Sequence, residues 1–163
     1  MSDRIAVMSA GRIRQIAAPD DIYRRPADRF VASFVGDANI LNGRLVEKRG
    51  DVAVVSVGDI SADVPAAPIA ALSIGDAVDV FVRPEHLAVT SRGASGSLPG
   101  TVMTQVFQGG HVDLYIDAPG SARERILLRS PGIAALSSCP VGAEIRLTIG
   151  SDDIVAFPPG EAA

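Results

Sequence analysis

The chain has 163 residues, of which 47% are hydrophobic, 21% are charged and 4% are aromatic, and this balance indicates a globular protein with a buried core. Its only cysteine is Cys139, which excludes an internal disulfide and a cysteine-based zinc site and which we expect to be a packing residue. The formal net charge is -4, and no run of about 18 apolar residues predicts a membrane span.

The charge is unevenly distributed along the chain. Residues 1–36 carry six arginines and four aspartates, which leaves nine basic and fifteen acidic residues for 37–163. A nucleic-acid surface needs a basic patch and often aromatic side chains for stacking, so the sequence predicts no nucleic-acid partner. The N-terminus also lacks the charged-then-apolar pattern of a signal peptide, and we expect a cytoplasmic protein.

The first predicted element is a β-hairpin. In the stretch RIAVMSAGRIRQIA, the apolar residues Ile5 and Val7 precede a glycine-containing turn at 9–11, and Ile13 and Ile16 follow it. Near-alternating apolar residues on both sides of such a turn are typical of two antiparallel strands.

Two short helices are predicted next. Pro19 suits the first position of a helix, and acidic residues in its first turn with arginines in its last match the helix dipole. Asp28 can cap a second helix that ends at Gly36. Its expected buried stripe consists of Phe30, Val31, Phe34 and Val35.

From Leu41 onward the apolar pattern is that of strands. Runs such as VAVVSV, AVDVFV, HVDLYI and EIRLTI lie between clusters of Gly, Pro and Asp, and their short, regular spacing predicts a mainly β region from about Ile40 to Phe157, folded as a barrel or a sandwich. Burial should alternate along each run. The expected buried residues include Val54, Val78, Val80, Val82, Val112, Leu114, Ile145, Leu147 and Ile149.

The β region also contains an internal similarity. The stretch IGDAVDVFVRPEHLAVT (74–90) aligns without gaps with VGAEIRLTIGSDDIVAF (141–157), and GRLVEKRGDVAVVSV from Gly43 resembles GTVMTQVFQGGHVDLYI from Gly100. This pattern predicts two related units of about sixty residues. The alternative is that any two amphipathic strands look alike.

The candidate chemistry is sparse. A phosphate-binding P-loop ends in Gly-Lys-Ser/Thr, and the only lysine, Lys48, lies between Glu47 and Arg49, so the chain contains no P-loop. The two histidines are expected at the surface or in loops. Neither His86 beside Glu85 nor His111 near Asp113 is predicted to form a catalytic dyad, no metal-ligand spacing is present, and we expect no cofactor.

Two short motifs remain. Gly109-Gly110 is predicted to be a hairpin turn, although backbone amides there could also approach an anion. In VRPEHL, Pro84 must interrupt a strand, so that Arg83, Glu85 and His86 flank a bend. These three residues form a candidate corner for an ion pair, a partner contact or a ligand.

These motifs together carry a family resemblance. The N-terminal pattern S-D-R-I-x-V-M, G-x-I-x-Q, P-x-x-I-Y-x-x-P and F-V-A-x-F-x-G resembles the closing segment of the ATP-binding subunits of ABC importers for polyamines, ferric iron, glycerol phosphate and sugars. The remainder, with FVRPEHL, looks like the TOBE module (transport-associated OB fold) that follows in those subunits. The resemblance implies an OB-like β-barrel after the hairpin and the two helices.

The resemblance also implies a domain division and a function. Residues 1–36 correspond to the tail of a nucleotide-binding domain, and 37–163 to a regulatory TOBE region. The ATP-binding and catalytic motifs of the family lie before the equivalent of Ser2, so no catalytic residue is carried over, and ATP and Mg are expected only in the complete subunit. The implied partners are a second copy of the subunit and the importer's membrane subunits, at the inner face of the cell membrane.

Two expectations follow. In a complete subunit a sheet would cover one apolar face of the hairpin, formed by Ile5, Val7, Ile13 and Ile16. Without that sheet an isolated hairpin is marginal in water, so we expect residues 3–17 to be mobile or paired with a second molecule. The competing hypothesis is a stand-alone module that binds an oxyanion or another small solute, because OB-type barrels also hold such ligands.

Overall fold

The computed structural model describes residues 3–90, 95–150 and 153–160. It confirms the mainly β prediction. The N-terminal part contains β1 (Ile5–Ser9), β2 (Arg12–Ala17), α1 (Pro19–Arg24) and α2 (Arg29–Phe34). The first half of the β region contains β3 (Asn39–Arg49), β4 (Val52–Val57), β5 (Ile60–Pro65), β6 (Ala77–Val82) and β7 (Leu87–Thr90). The second half contains β8 (Leu98–Phe107), β9 (His111–Asp117), β10 (Ile126–Pro131), α3 (Ala135–Ser138), β11 (Glu144–Ile149) and β12 (Val155–Phe157).

The β region consists of two five-stranded antiparallel sheets. The first has the order β12-β6-β3-β4-β5, and the second has the order β10-β9-β8-β11-β7. We call β3–β7 the first unit and β8–β12 the second unit. Each unit therefore contributes four strands to its own sheet, and its last strand pairs in the sheet of the other unit.

The internal similarity is confirmed by this geometry. Gly43 of β3 lies opposite Val78, and Gly100 of β8 lies opposite Ile145, which are the residues that the sequence alignment equates. A β-bulge follows at the same distance in both strands, between Leu45 and Glu47 and between Val102 and Thr104. The exchanged strands match as well, because Ala156 pairs with Val80 as Val89 pairs with Leu147.

A capping contact is also repeated. The Lys48 Nζ donates hydrogen bonds to the carbonyls of Ala70 and Leu72, at 2.7 and 2.5 Å. At the equivalent position of the second unit, the Gln105 Nε2 donates to the carbonyl of Cys139 at 2.5 Å. Each side chain satisfies carbonyl groups at the end of a helical turn, which otherwise lack intrahelical partners. The only lysine of the chain thus has a structural contact.

Most of the predicted core is buried, with two corrections. Ile149 is only partly buried and packs at the margin of the main cluster. Burial does not alternate along β6, where every residue from Val78 to Val82 is buried. The second face of β6 is covered because Phe81 packs in a separate cluster with Ala32 of α2 and Phe157 of β12. Helix α3 was not predicted, since four residues are too short for a helical period.

The helices begin where the sequence indicates, but α2 buries a different face. Asp28 caps α2 by accepting a hydrogen bond from the Val31 backbone at 2.9 Å. Val31 and Ala32 are the buried residues, whereas Phe34 is 65% exposed and its ring stacks on that of Phe30. A helix of fewer than two turns lies between the hairpin and the first sheet, so its two buried faces point at these neighbours rather than along one stripe.

The apolar residues of the hairpin do not share one face as expected. Val7 is buried against Ile22 and Val31, whereas Ile13 and Ile16 are exposed on the opposite face together with Met8. Residues three apart point to opposite faces of a regular strand. A β-bulge opposite Val7 shifts the register and brings Ile13 and Ile16 to the same face.

No helix in the described part of the chain is long and apolar enough to cross a membrane.

Candidate functional site

The candidate corner lies on the segment that joins β6 to β7, which we call the first crossover. Here the chain leaves the first sheet and enters the second. Pro84 cannot donate to a strand ladder, and the residue before a proline favours extended backbone, as Arg83 shows with φ -70° and ψ 146°. The strand therefore ends at this proline and the Arg83 side chain turns toward the helices.

Arg83 is a buried cation, with 6% of the residue exposed. Its Nη1 donates to the carbonyls of Gly36 and Asp37, at 3.3 and 3.1 Å, and its guanidinium lies 4.4 Å from the centre of the Tyr23 ring. Burial lowers the pKa of Arg83, because it disfavours the charged form. The Arg83 guanidinium thus links the β region to residues 19–37, which contain α1 and α2 and which we call the helical segment.

Glu85 completes this contact. Its Oε1 accepts a hydrogen bond from the Tyr23 hydroxyl. Burial of the phenol, together with this bond and the nearby carboxylate charge, raises the pKa of Tyr23 to about 12. Arg83, Glu85 and Tyr23 form one cluster between α1 and the first crossover.

His86 does not join that cluster through its ring. Among the described residues, its Nδ1 is buried without a hydrogen-bond partner. Its carbonyl instead accepts a hydrogen bond from the Gly150 amide at 2.8 Å. Gly150 begins the second crossover, which joins β11 to β12, so the two crossovers are directly bonded to each other.

The predicted corner is thus occupied by contacts within the chain. Arg83 and Glu85 are brought together, and His86 contributes its backbone. The residues that sequence reasoning missed are Tyr23, Gly36 and Asp37, which lie more than forty positions away from Arg83. The only sequence signal at Tyr23 is the Ile-Tyr dipeptide in the family resemblance, and this signal does not identify the partner of Tyr23.

A second charged cluster attaches the helical segment to the other sheet. Arg129 of β10 binds the buried carboxylate of Asp113 through Nε and Nη2, at 2.9 and 3.1 Å, and its Nη2 also lies 3.2 Å from Asp37. The two acidic side chains raise the pKa of Arg129. His111 approaches the same carboxylate at 3.4 Å, contrary to the expectation of no such pair, because residues two apart on a strand share a face.

A third contact involves the N-terminal end of α2. Arg29 forms an ion pair with Asp79 of β6, which is 6% exposed, and the Gly160 amide donates to the same carboxylate at 3.3 Å. Polar and charged contacts therefore hold the helices to both sheets.

Two concave surfaces occupy equivalent places in the two units. One, of about 570 Å³, lies around Gly100, and the other, of about 460 Å³, lies around Gly43. A Cβ atom at Gly100 would lie 2.6 Å from Ile116, and one at Gly43 would lie 2.9 Å from the carbonyl of Ser56. Close packing of neighbouring strands therefore requires glycine at both positions.

Within residues 3–90, 95–150 and 153–160, no group of three or more His, Cys, Asp or Glu side chains could hold a metal ion. The prediction that no cofactor binds stays a prediction.

The raised pKa of Tyr23 leads to a pH prediction. A group whose pKa is raised in the folded state stabilises it fully below its ordinary pKa of about 10, and this stabilisation is lost as the pH rises toward 12. Tyr23→Phe should therefore unfold with a weaker pH dependence than the parent between these values. The midpoint of urea unfolding, measured from pH 9 to 12, checks this result. Tyr115→Phe is the matched control, and an equal change in both variants would contradict the assignment.

Comparisons with known proteins agree with this architecture. The model of the TOBE domain family matches residues 80–157. The spermidine/putrescine import ATP-binding protein PotA of Pseudomonas fluorescens is 31% identical over 163 residues, which is 100% of this chain and 41% of that protein. PotA of Ruegeria pomeroyi is 44% identical over 116 residues, covering 71% of this chain and 31% of the relative.

A third relative and a solved structure extend the comparison. The Fe(3+) ions import ATP-binding protein FbpC 2 of Rhodococcus jostii is 36% identical over 139 residues, covering 83% of this chain and 37% of the relative. The crystal structure of the cytoplasmic molybdate-binding protein ModG, with molybdate bound, has a TM-score of 0.59 and 19% identity, covering 74% of this chain and 96% of that one. At that identity the likeness concerns the fold alone.

This chain spans about a third to two fifths of the length of the three importer relatives named above. The predicted resemblance is confirmed: the chain carries a TOBE domain and corresponds to the TOBE-containing region of an ABC importer ATP-binding subunit.

Proposed function

We propose that this chain is the non-catalytic regulatory and dimerisation region of the ATP-binding subunit of an ABC solute importer. The observation that carries the proposal is the similarity to the PotA protein of Pseudomonas fluorescens along the whole chain, hairpin and helices included. The complete subunit would couple ATP hydrolysis to solute uptake. It would lie at the cytoplasmic face of the membrane, bound to the importer's membrane subunits.

The exposed face of the hairpin supports the proposal that this chain is one region of a larger subunit. Met8, Ile13 and Ile16 are 55%, 56% and 45% exposed, and an open two-stranded edge that carries apolar side chains is a surface for pairing. In the complete subunit, the ATP-binding domain would cover this face. The opposite face packs on α1 and α2 through Val7, so the hairpin would connect that domain to the helices and the β region.

A chimera tests the regulatory role. We expect that this chain can replace the matching region of PotA from Pseudomonas fluorescens and retain uptake of spermidine in cells that lack the native subunit. The reference is PotA shortened to its ATP-binding domain, which shows how much spermidine uptake remains, or how far its control is lost, without this region. A chimera that folds and hydrolyses ATP but behaves like the shortened protein would contradict the proposal.

Self-association through the hairpin is a separate prediction. The chain alone should form a homodimer, because symmetric association is the commonest way to cover an apolar patch. Substitution of Met8→Gln, Ile13→Thr and Ile16→Thr together should reduce the mass measured by light scattering to that of a monomer, while Val7 keeps its packing. The control is Ile74→Thr, at an apolar residue that is 66% exposed elsewhere. A parent chain that is already monomeric would refute the dimer.

The second candidate function is a small-ligand module. The fold likeness to the molybdate-binding protein ModG favours it, and the concave surface around Gly100, lined by Asp117, Glu144 and Arg146, is the place where such a ligand would fit. The corner of Arg83, Glu85 and His86 is a poorer place, since Arg83 is only 6% exposed and both Arg83 and Glu85 are bonded to the segment that contains α1 and α2. Calorimetric titration with molybdate, sulfate, spermidine and glycerol phosphate distinguishes the two functions, because only a ligand module would give saturable binding.

A further inference from the structure

The β-bulge of the hairpin gives two neighbouring side chains the same direction. In β2 the paired residues are Ile13 and Gln15, so Arg14 between them is the extra residue of the bulge. In a regular strand, Arg14 and Gln15 would face opposite sides. Here both side chains bond to the joint between α1 and α2, which we define as residues 25–28.

Gln15 bonds to the backbone on both sides of a proline. Its Nε2 donates to the carbonyl of Arg25 at 3.0 Å, and its Oε1 accepts from the amide of Ala27 at 2.8 Å. Pro26 lies between these two groups and has no amide hydrogen, so the helical hydrogen bonds are interrupted there. A carboxamide supplies one donor and one acceptor from the same planar group, as the backbone of a neighbouring strand would.

Arg14 binds the other end of the joint. Its Nε and Nη2 lie 2.8 and 2.6 Å from the Oδ2 of Asp28. The second oxygen of this carboxylate, Oδ1, accepts the capping hydrogen bond from the Val31 amide. Asp28 therefore begins α2 with one oxygen and binds the hairpin with the other.

Few other contacts fix the direction of the hairpin. Only Ala18 separates β2 from α1, so the hairpin is tied to the helices at one end and could swing about that residue. The packing of Val7 against Ile22 and Val31 holds the hairpin close, but apolar contact is not directional. Hydrogen bonds require defined distances and angles, so the bonds of the bulge can set the orientation.

We propose that the bulge is a docking device, in which Gln15 and Arg14 are positioning residues that fix the hairpin at one angle to the helical segment. The helical segment is itself bound to the two sheets through Arg83, Arg29 and Arg129. The hairpin, the helices and the β region then move as one body. A wider consequence, which rests on the proposed function, is that these two side chains set the angle between the ATP-binding domain and the β region of a complete subunit.

Distances between spin labels on the full chain, measured by pulsed electron paramagnetic resonance, test the device without the rest of a subunit. Cys139→Ala removes the only native thiol. Labels at Arg12→Cys in the hairpin and Ile74→Cys in the first unit then report the hairpin angle, and labels at Asp21→Cys and Ile74→Cys report whether α1 stays on the β region. An excess of unlabelled chain removes distances between copies. The parent should give one narrow distance for each pair.

Gln15→Met keeps the length of the side chain and removes both of its bonds to the joint. It should broaden the distance distribution between positions 12 and 74 and leave that between positions 21 and 74 unchanged. The Ala27 amide should also exchange with solvent about tenfold faster, as expected for the loss of one hydrogen bond. Arg14→Gln should broaden the same distribution less, because the Arg14 side chain is 42% exposed, and it decides the matter if Gln15→Met does not fold.

Arg25→Gln is the control, because the Arg25 side chain takes no part in the bonds described above, and it should change neither distribution. Unchanged distributions in both Gln15→Met and Arg14→Gln would overturn the proposal, since apolar packing alone would then orient the hairpin. Broadening of both label pairs would overturn it as well, because it indicates that the helical segment has come loose. Equal broadening in Arg25→Gln would have the same consequence.

Discussion

Leu147→Ala is expected to lower the free energy of unfolding by about 3–5 kcal/mol, the range for a leucine removed from a fully buried site. Leu147 is 0% exposed in β11, where its backbone pairs with Leu98 of β8 on one side and with Val89 of the exchanged β7 on the other. The cavity would therefore lie where the two units are joined. Chemical denaturation followed by far-UV circular dichroism measures the loss.

The same variant tests whether the strand exchange makes the β region one cooperative unit. If the second sheet unfolds, β7 is released and the first unit loses its last strand. If the first sheet unfolds, β12 is released and the second unit loses its last strand. We therefore expect a single transition for Leu147→Ala and for Val80→Ala, its equivalent in β6, with the midpoint lowered in both. Val141→Ala, at a 61% exposed position of the second unit, should change stability by less than about 0.5 kcal/mol. Two separate transitions, of which each variant shifts only one, would contradict this result.

The strands and the repeat were predictable because they depend on local patterns. Gly75 and Gly142 occupy the same turn position, with φ of 95° and 84°, and few other residues adopt such angles. The apolar runs between such glycines have the length and alternation of strands. The exchange of β7 and β12 was not predictable, because a strand's own pattern records which of its faces is buried and not which sheet it joins.

The misassigned faces have a common physical cause. Phe30 and Phe34 are the larger apolar residues of α2, but Val31 packs on the hairpin and Ala32 packs on β6 instead. Ile13 and Ile16 are placed on one face by a bulge that no residue type in β2 signals. Tertiary contacts override the periodicity when an element is shorter than two turns or contains an irregular residue.

The candidate site shows the same limit more strongly. Pro84 marked the bend correctly, and Arg83 and Glu85 were singled out because they flank it. Their partners could not be identified, since Tyr23 and Asp37 come from a segment whose docking depends on the whole fold. A single sequence indicates that a charged residue lies beside the end of a strand. It does not indicate which carbonyl groups accept hydrogen bonds from Arg83, because these groups are brought together only in the folded structure.

Arg129→Gln is expected to lower the free energy of unfolding by about 3 kcal/mol. Asp113 is 4% exposed, and the two bonds from the Arg129 guanidinium are the strongest partners of its carboxylate. Removal of one member of a buried ion pair leaves an uncompensated charge, which costs about 3–5 kcal/mol. The loss of stability should lie at the lower end of this range, because the Arg129 side chain is 30% exposed and His111 lies 3.4 Å from the same carboxylate. The substitution also removes the link from β10 to Asp37.

The control and the double variant separate this charge effect from a loss of packing. Arg125→Gln deletes an exposed arginine from the segment that leads into β10 and should cost less than about 0.5 kcal/mol. Asp113→Asn combined with Arg129→Gln removes the buried charge together with its partner, and it should recover much of the loss, because two neutral amides can bond to each other. Urea unfolding of the parent, Asp113→Asn, Arg129→Gln and the double variant yields the coupling energy of the pair. If the double variant loses as much stability as Asp113→Asn and Arg129→Gln added together, the contribution of Arg129 does not come from its interaction with Asp113.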